Sequence, residues 1–299
     1  MTTVLVTGAG GQLGQELQQL NWTDHTRLVP LTSSQLDITA PESVSATVAE
    51  INPDVIVNAA AYTAVDRAEE EPDRAMAVNA TAVSYLAEAA NRHTSLLIHI
   101  STDYVFDGLK GEPYVEQDPI SPTGVYGHTK AAGEAAAALA DRSLVLRSSW
   151  LYSSRGNNFV STMLRLASER DQIGVVDDQF GCPTAVPKLA AALQQIIYST
   201  GAGTNLPAQR IYHAACTGTA TWYDLAEAAF SASAVGFSGQ LSRLATSEYP
   251  TKATRPPDSR LNCCGLERDL GISLGPWQAP LAQVVKEITN KHSESHSHD

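Results

Sequence analysis

The sequence predicts an α/β protein: a doubly wound parallel sheet, with a smaller α/β lobe drawn mainly from the C-terminal third. Three observations predict it. The β-branched run Thr2 to Thr7 breaks into the turn Gly8-Ala9-Gly10-Gly11-Gln12-Leu13-Gly14, after which helical spacing takes over at Leu17 and Leu20. Strand-like and helix-like stretches then alternate through Arg27–Leu31, Pro41–Ile51, Asp54–Ala61, Asp73 to about His93 and Ser95–Asp103, the rhythm of βαβ units. Asp54–Ala61 is nearly continuous in apolar residues, as a strand buried on both faces is.

The elements follow in order. Gly8, Gly11 and Gly14 form G-x-x-G-x-x-G at the end of the first strand. There glycines give a tight turn, a close backbone approach to a pyrophosphate and close packing of helix on strand, so the position marks a Rossmann-type dinucleotide site. After the second strand, where an NAD-specific site places an acid for the ribose 2′-hydroxyl, the chain reads Thr32-Ser33-Ser34. No acid repels a 2′-phosphate there, so the sequence leans to NADPH and leaves NADH open. Asp37, further on, suits either the adenine side or a turn ahead of the Pro41 helix. The small residues Ala59, Ala60 and Ala61 suit a cofactor lying against the third strand end, or simple tight packing. Asp66, Glu69, Glu70 and Glu71 read as a solvated helix start. The fourth strand ends in Ser101-Thr102-Asp103, at the edge where open α/β sheets gather ligands.

The loop Tyr104 to Thr123 holds Pro113, Pro119 and Pro122 and is long enough for a lid or substrate loop. It delivers Tyr126 and Lys130, four residues apart and so on one helix face. An ammonium beside a phenol favours the phenolate and makes a proton donor, although Y-x-x-x-K alone is common on exposed helices. Leu144–Tyr152 reads as a fifth strand, Val160–Arg170 as a helix, Ile173–Val176 as a strand, and a further helix runs through Ile197. Beyond about Thr184 the rhythm fades into a strand near Ile211 and helices at Trp222–Phe230 and Leu281–Thr289. The expected division is a dinucleotide-binding core over 1–184, a substrate lobe mainly from 185–290 with segments crossing back, and a disordered polar tail over 291–299.

With 299 residues and a net charge of -12, the chain buries a large core and disfavours nucleic acid and anionic membranes as partners. Cys182, Cys216, Cys263 and Cys264 show no C-x-x-C pair and no histidine spacing for zinc, which fits a reducing cytoplasm. No apolar run nears the ~18 residues of a membrane span, and Met1–Val6 lacks a basic leader.

The glycine turn, the Ser-Thr of the fourth strand and Tyr126 with Lys130, in that order, resemble the short-chain dehydrogenase/reductase superfamily in its extended form. Seven segments resemble, within it, the dTDP-4-dehydrorhamnose reductase family: V-N-A-A-A-Y-T-A-V-D (Val57–Asp66), S-T-D-Y-V-F (Ser101–Phe106), V-Y-G-H-T-K (Val125–Lys130), S-S-W-L-Y (Ser148–Tyr152), G-N-N-F (Gly156–Phe159), D-Q-F-G-C-P-T (Asp178–Thr184) and R-P-P-D-S-R-L (Arg255–Leu261). The resemblance implies reduction of the 4-keto group of dTDP-4-dehydro-6-deoxy-L-mannose to dTDP-L-rhamnose, the last step of dTDP-rhamnose biosynthesis. Tyr126 would be the proton donor, Lys130 would lower its pKa and bind the nicotinamide ribose, and Thr102 would bond the substrate oxygen or the phenol. Family cofactor contacts match Gly11, Gln12, Leu13, Asp37, Ile38, Ala61, Tyr62, Thr63 and Ile100, beside Gly8, Gly14, Tyr126 and Lys130. Thr102, Asp103 and Trp150 match its sugar-nucleotide contacts, and Asn158 of the G-N-N-F segment is placed with them. Arg255 and Arg260 are added on chemistry alone, because guanidinium forks suit a pyrophosphate; surface ion pairing is the alternative. Glu16 matches a position associated with Mg²⁺ in some members, but Pro187-Lys188 replaces the acids expected opposite. Mg²⁺ and a homodimer therefore stay open. The rival readings are another extended-type nucleotide-sugar reductase or epimerase and a non-catalytic regulatory subunit of the same fold.

Overall fold

The computed structural model describes residues 1–200, 206–234 and 236–295. In chain order the elements are β1 (Thr2–Thr7), α1 (Gln12–Leu17), β2 (Thr26–Leu31), α2 (Pro41–Ile51), β3 (Val55–Asn58), α3 (Val65–Ala68), α4 (Pro72–Met76), α5 (Ala82–His93), β4 (Leu96–Thr102), α6 (Val125–Ala137), β5 (Ser143–Ser148) and β6 (Leu151–Tyr152). They continue with α7 (Phe159–Glu169), β7 (Gln172–Val176), β8 (Phe180–Gly181), β9 (Thr184–Ala185), α8 (Val186–Thr200), β10 (Ile211–His213), β11 (Ala220–Thr221), α9 (Trp222–Ala232), β12 (Gln240–Leu244), α10 (Cys264–Leu270) and α11 (Gln278–Ser295).

Six strands form one parallel sheet in the order β10-β5-β4-β3-β1-β2. Strand periodicity assigns its two faces. Val4, Val6, Val55, Val57, Leu96, Ile98, Leu144 and Leu146 pack with Leu13 and Leu17 of α1, with α8 and with α11. The alternate residues Leu5, Ile56, Leu97 and Val145 pack with α2, α5 and Ala137 of α6. Each strand thus feeds two cores, which is why the central strands read as unbroken apolar runs. Pro30, which lacks a ladder donor, sits on the edge strand β2. The strand order reverses between β1 and β3, so the carboxyl ends of these strands open a crevice at a topological switch point.

A second cluster stands beside the sheet. β7 pairs in parallel with β12, and Ile173 and Val175 pack on Met163 of α7 and on Tyr223, Ala226 and Phe230 of α9. The chain crosses the expected boundary at 184 in both directions. α7 and β7 precede it yet belong to this cluster, whereas α8 and β10 follow it yet complete the large sheet and its core. The expected fifth strand over 144–152 is two strands, because Trp150 takes φ 46° and turns the chain between β5 and β6. The long helix from 73 is interrupted by a π-helical turn at Ala77–Thr81. α11 runs on to Ser295, into the segment expected as a tail, and residues 296–299 lie outside the described residues.

Candidate active site

The glycine turn lies against the end of β3. Gly8 takes φ 69°, and a Cβ there would come within 2.6 Å of the Ala60 backbone nitrogen. At Gly14 an added Cβ would lie 2.5 Å from Ala9 Cα and 2.5 Å from the Gly8 oxygen. Gly11 caps α1 without a side chain, leaving the backbone of the first turn open to an approaching anion. The turn therefore has the glycines a pyrophosphate cradle needs, and Thr32 stands beside Gly10 with its hydroxyl 2.9 Å from that of Ser34. Leu13 and Ile38 are buried in opposite cores, so at most their backbone faces a ligand. The Asp37 carboxylate accepts from Thr39 N–H at 2.9 Å and Thr39 Oγ1 at 2.7 Å, the turn role left open by the sequence.

α6 presents Tyr126 from its first turn. The helix begins at Val125, whose N–H donates to Glu69 Oε1 at 2.8 Å, an acid at a helix N-terminus as the dipole favours. The acids expected as a solvated helix start are thus employed: Glu69 caps α6, Asp66 holds Arg255, and Glu71 accepts from the Tyr62 hydroxyl and from Arg67. Asn79, on the π-helical turn, ties the Ala61–Thr63 loop to α6. It accepts from Tyr62 N–H at 2.8 Å and donates to the Tyr62 oxygen and Thr129 Oγ1, each at 3.1 Å. Such turns are frequent at functional sites, and nothing in the sequence spacing marks this one.

Tyr126 is half-buried, with its ring edge-on to Tyr104 at 5.7 Å. The dense protein around the phenol pushes its pKa up to about 12, an effect the Thr102 hydroxyl opposes and the Asp103 charge reinforces. Lys130 is 1% exposed. Its Nζ donates to the Ile100 carbonyl at 2.6 Å and lies 3.4 Å from His99 Nε2, and burial pulls its pKa down to about 8 against the attraction of Glu134. Burial is the largest influence on the phenol, while the Lys130 ammonium is bonded to the end of β4.

Thr102 ends β4, donating to Asp103 Oδ1 at 3.0 Å and accepting from Tyr104 N–H at 3.2 Å. Asp103 is buried, which raises its pKa to about 6, although Ser259 (2.5 Å), Thr102 and Ser149 (3.0 Å) all donate to it. Ser259 comes from the R-P-P-D-S-R-L segment, whose remaining role was read only through its arginines.

Beside these groups lies a cavity of about 910 Å³ between α3, α7, β7 and the 249–255 segment. Tyr104 and Arg255 line it; Tyr126 and Lys130 do not, so Tyr104 is the junction between cavity and phenol. Arg255 forks onto Asp66 at 2.8 and 2.7 Å. Arg260 is not among the lining residues and forks instead onto Asp258 at 2.7 and 2.5 Å. Trp150 stacks on Trp222 at 3.6 Å and 5°, and it is Trp222 that lines the cavity. Asn158 spends its amide on capping α7 through Ser161 N–H and on Gln12 Oε1 (3.2 Å) and the Ser153 oxygen (2.8 Å), linking the glycine turn to the second cluster. The 104–123 loop is pinned rather than loose: Tyr114 N–H donates to the Arg260 oxygen at 2.8 Å and its ring stacks on Phe106 at 4.1 Å. Glu16 faces Arg155 Nε at 3.5 Å, so a guanidinium already answers its charge, and among the described residues no three His, Cys, Asp or Glu converge as metal ligands.

The sequence profile described as RmlD substrate binding domain matches residues 1–290. A dTDP-4-dehydrorhamnose reductase of Aggregatibacter actinomycetemcomitans is 43% identical over 291 residues, covering 95% of this chain and 98% of that protein. One from Escherichia coli K12 is 41% identical over 301 residues, covering 95% and 97%. The crystal structure of a dTDP-4-dehydrorhamnose reductase from Bacillus anthracis in complex with NADP is 35% identical, with a TM-score of 0.89 over 96% of this chain and 100% of that one. A Thermus thermophilus UDP-glucose 4-epimerase bound to NAD, 18% identical with a TM-score of 0.78, shares the fold.

Proposed function

The chain belongs to the dTDP-4-dehydrorhamnose reductase family, carrying its RmlD substrate binding domain over residues 1–290, and from that premise we propose that it reduces the 4-keto group of dTDP-4-dehydro-6-deoxy-L-mannose to give dTDP-L-rhamnose. It is an oxidoreductase that uses a nicotinamide dinucleotide. When bound, the reduced nicotinamide supplies the hydride.

The protein's own residues do the rest. The Gly8–Gly14 turn, with no side chain between its backbone and the crevice at Gly8, Gly11 and Gly14, would hold the pyrophosphate; the Ala61–Thr63 loop, held by Asn79, would flank the ribose. Thr32 and Ser34 beside the turn support NADPH as the preferred form. Tyr126, protonated throughout the physiological range, donates to the carbonyl oxygen as charge builds there, avoiding a free alkoxide. Lys130, charged below about 8, offers the remaining donor of its ammonium to the ribose and offsets the phenolate left behind. Thr102 orients the substrate oxygen. Arg255 in the cavity favours the substrate diphosphate, and the Trp222 face, backed by Trp150, offers a plane for a ring. We place α7, β7, α9 and β12, with the 249–255 segment, as the substrate lobe, and the chain in the cytoplasm, where its free cysteines stay reduced. No helix among the described residues is long and apolar enough to cross a membrane.

The observation that carries this reading is the convergence of Tyr126, Thr102 and Lys130 at the strand ends beside the glycine turn. Purified protein given the dTDP-keto sugar should oxidise NADPH and form dTDP-L-rhamnose. Turnover of another nucleotide sugar with none of this one would transfer the chain to a different reductase or epimerase.

A further inference from the structure

Behind Lys130 runs a buried polar chain that the proton donation itself does not use. Thr7 Oγ1 lies 2.7 Å from Asn58 Oδ1, Asn58 Nδ2 lies 3.1 Å from His99 Nδ1, and His99 Nε2 lies 3.4 Å from Lys130 Nζ. The four side chains come from β1, β3, β4 and α6, and none is more than 1% exposed. α6 reaches β4 this closely because residue 133 is glycine: a Cβ there would sit 3.2 Å from His99 Nε2 and collide with the Asn79 oxygen.

Hydrogen counting restricts this chain. A neutral imidazole has one N–H and one acceptor nitrogen, whereas an imidazolium has two N–H groups. Burial and the Lys130 charge keep His99 neutral, so Nδ1 and Nε2 cannot both accept. If Nε2 accepts from the Lys130 ammonium, Nδ1–H must donate to the Asn58 oxygen, and the Asn58 amide must be turned so that its nitrogen donates to Thr7 Oγ1; amide orientation is an assignment that hydrogen bonding decides. If Nε2 carries the proton, Lys130 must be an amine. The ammonium therefore fixes the Nδ1–H tautomer, whereas the neutral amine can meet either one. The chain ends at Thr7, which is 1% exposed, so it positions a group and does not conduct protons to solvent.

We infer that His99 is a positioning residue for the reduction: held by Asn58 and Thr7, it accepts from the Lys130 ammonium, keeps that group charged in a buried site, and aims its remaining donor at the cleft. This rests on the reductase reading for its catalytic consequence, but not for its effect on Lys130. The other ionisable groups facing Lys130 are Glu134 one turn along α6, which is bound by Arg147 of β5 and Ser101 of β4, and Tyr126 one turn before it.

His99→Phe keeps a ring and removes the acceptor, and His99→Gln restores one. The titration of Lys130, followed by NMR of its labelled side chain in the protein without substrate and assigned with Lys130→Met, should move down by about one unit in His99→Phe, a tenfold loss of proton affinity. The alkaline limb of kcat/KM should move with it, and both should return towards wild type in His99→Gln. Thr7→Val, a milder change at the far end, should move both in the same direction by a smaller amount, and it decides the matter if His99→Phe does not fold. Unchanged Lys130 titration in His99→Phe and Thr7→Val overturns the inference, whatever either does to thermal stability. A protein that shows the shift but does not reduce the dTDP-keto sugar would keep the inference and sink the substrate assignment.

Discussion

Lys130 donates to the Ile100 carbonyl oxygen at 2.6 Å, and this one bond ties a buried ammonium on α6 to the end of β4. Its pKa sits near 8 because burial disfavours the charge. The ammonium is therefore present below that pH and lost above it. kcat/KM should decline as pH rises through about 8, and Lys130→Met should lower it by about a hundredfold or more. A flat profile to well above pH 9 would separate Lys130 from the chemistry.

Asp103 makes stability, rather than activity, depend on pH. Its folded pKa of about 6 lies above its ordinary 3.8, so between these values the native state binds the extra proton. Stability should fall as pH rises through that window, by about 3 kcal/mol at one unit per 1.36 kcal/mol. Asp103→Asn should flatten this part of the curve in denaturant titrations at pH 4 and pH 6.5. It should also ease ionisation of Tyr126, since the Asp103 charge opposes it.

The two arginines of R-P-P-D-S-R-L should behave differently. Arg255 lines the cavity and is matched with Asp66, so Arg255→Ala both removes a cation and leaves that carboxylate unpaired where we place the substrate diphosphate. KM for the dTDP-sugar should rise about ten- to a hundredfold. Arg260→Ala, whose parent forks onto Asp258 away from the cavity, should change KM by no more than about twofold. Equal effects would remove the distinction.

Within the glycine turn, Gly14→Ala and Gly10→Ala form a matched pair. The first puts a Cβ 2.5 Å from backbone atoms of Ala9 and Gly8, while the second meets nothing nearer than Thr32 Cγ2 at 3.9 Å. Gly14→Ala should cost about 1–3 kcal/mol and weaken NADPH binding, and Gly10→Ala should be close to neutral in stability. Thermal melts with and without NADPH read both effects.

The sheet was legible because its strands carry their burial in the sequence: Val55 to Val57 feed two cores and show no polar face. The glycine turn and the placing of Tyr126 and Lys130 on one helix were legible because both rest on fixed local spacing. What escaped were contacts made between distant segments. Glu69 looked like a solvated acid and caps α6, Asn79 acts from a π-helical turn that no periodicity announces, and Ser259 reaches Asp103 across 156 positions. The Trp150 break was hidden because an apolar run reads alike whether the chain is extended or turned at one positive φ. For the arginines, residue type alone left phosphate binding and ion pairing open; the fold pairs both, Arg255 with Asp66 and Arg260 with Asp258, and puts only Arg255 on the cavity.

The most direct test is the reduction of dTDP-4-dehydro-6-deoxy-L-mannose by wild-type protein and Tyr126→Phe, with NADPH affinity measured in parallel. The expected result is NADPH-dependent formation of dTDP-L-rhamnose by the wild type and a loss of about a hundredfold or more in kcat in the variant, with cofactor affinity nearly unchanged. Equal turnover by the two proteins would contradict Tyr126 as the proton donor.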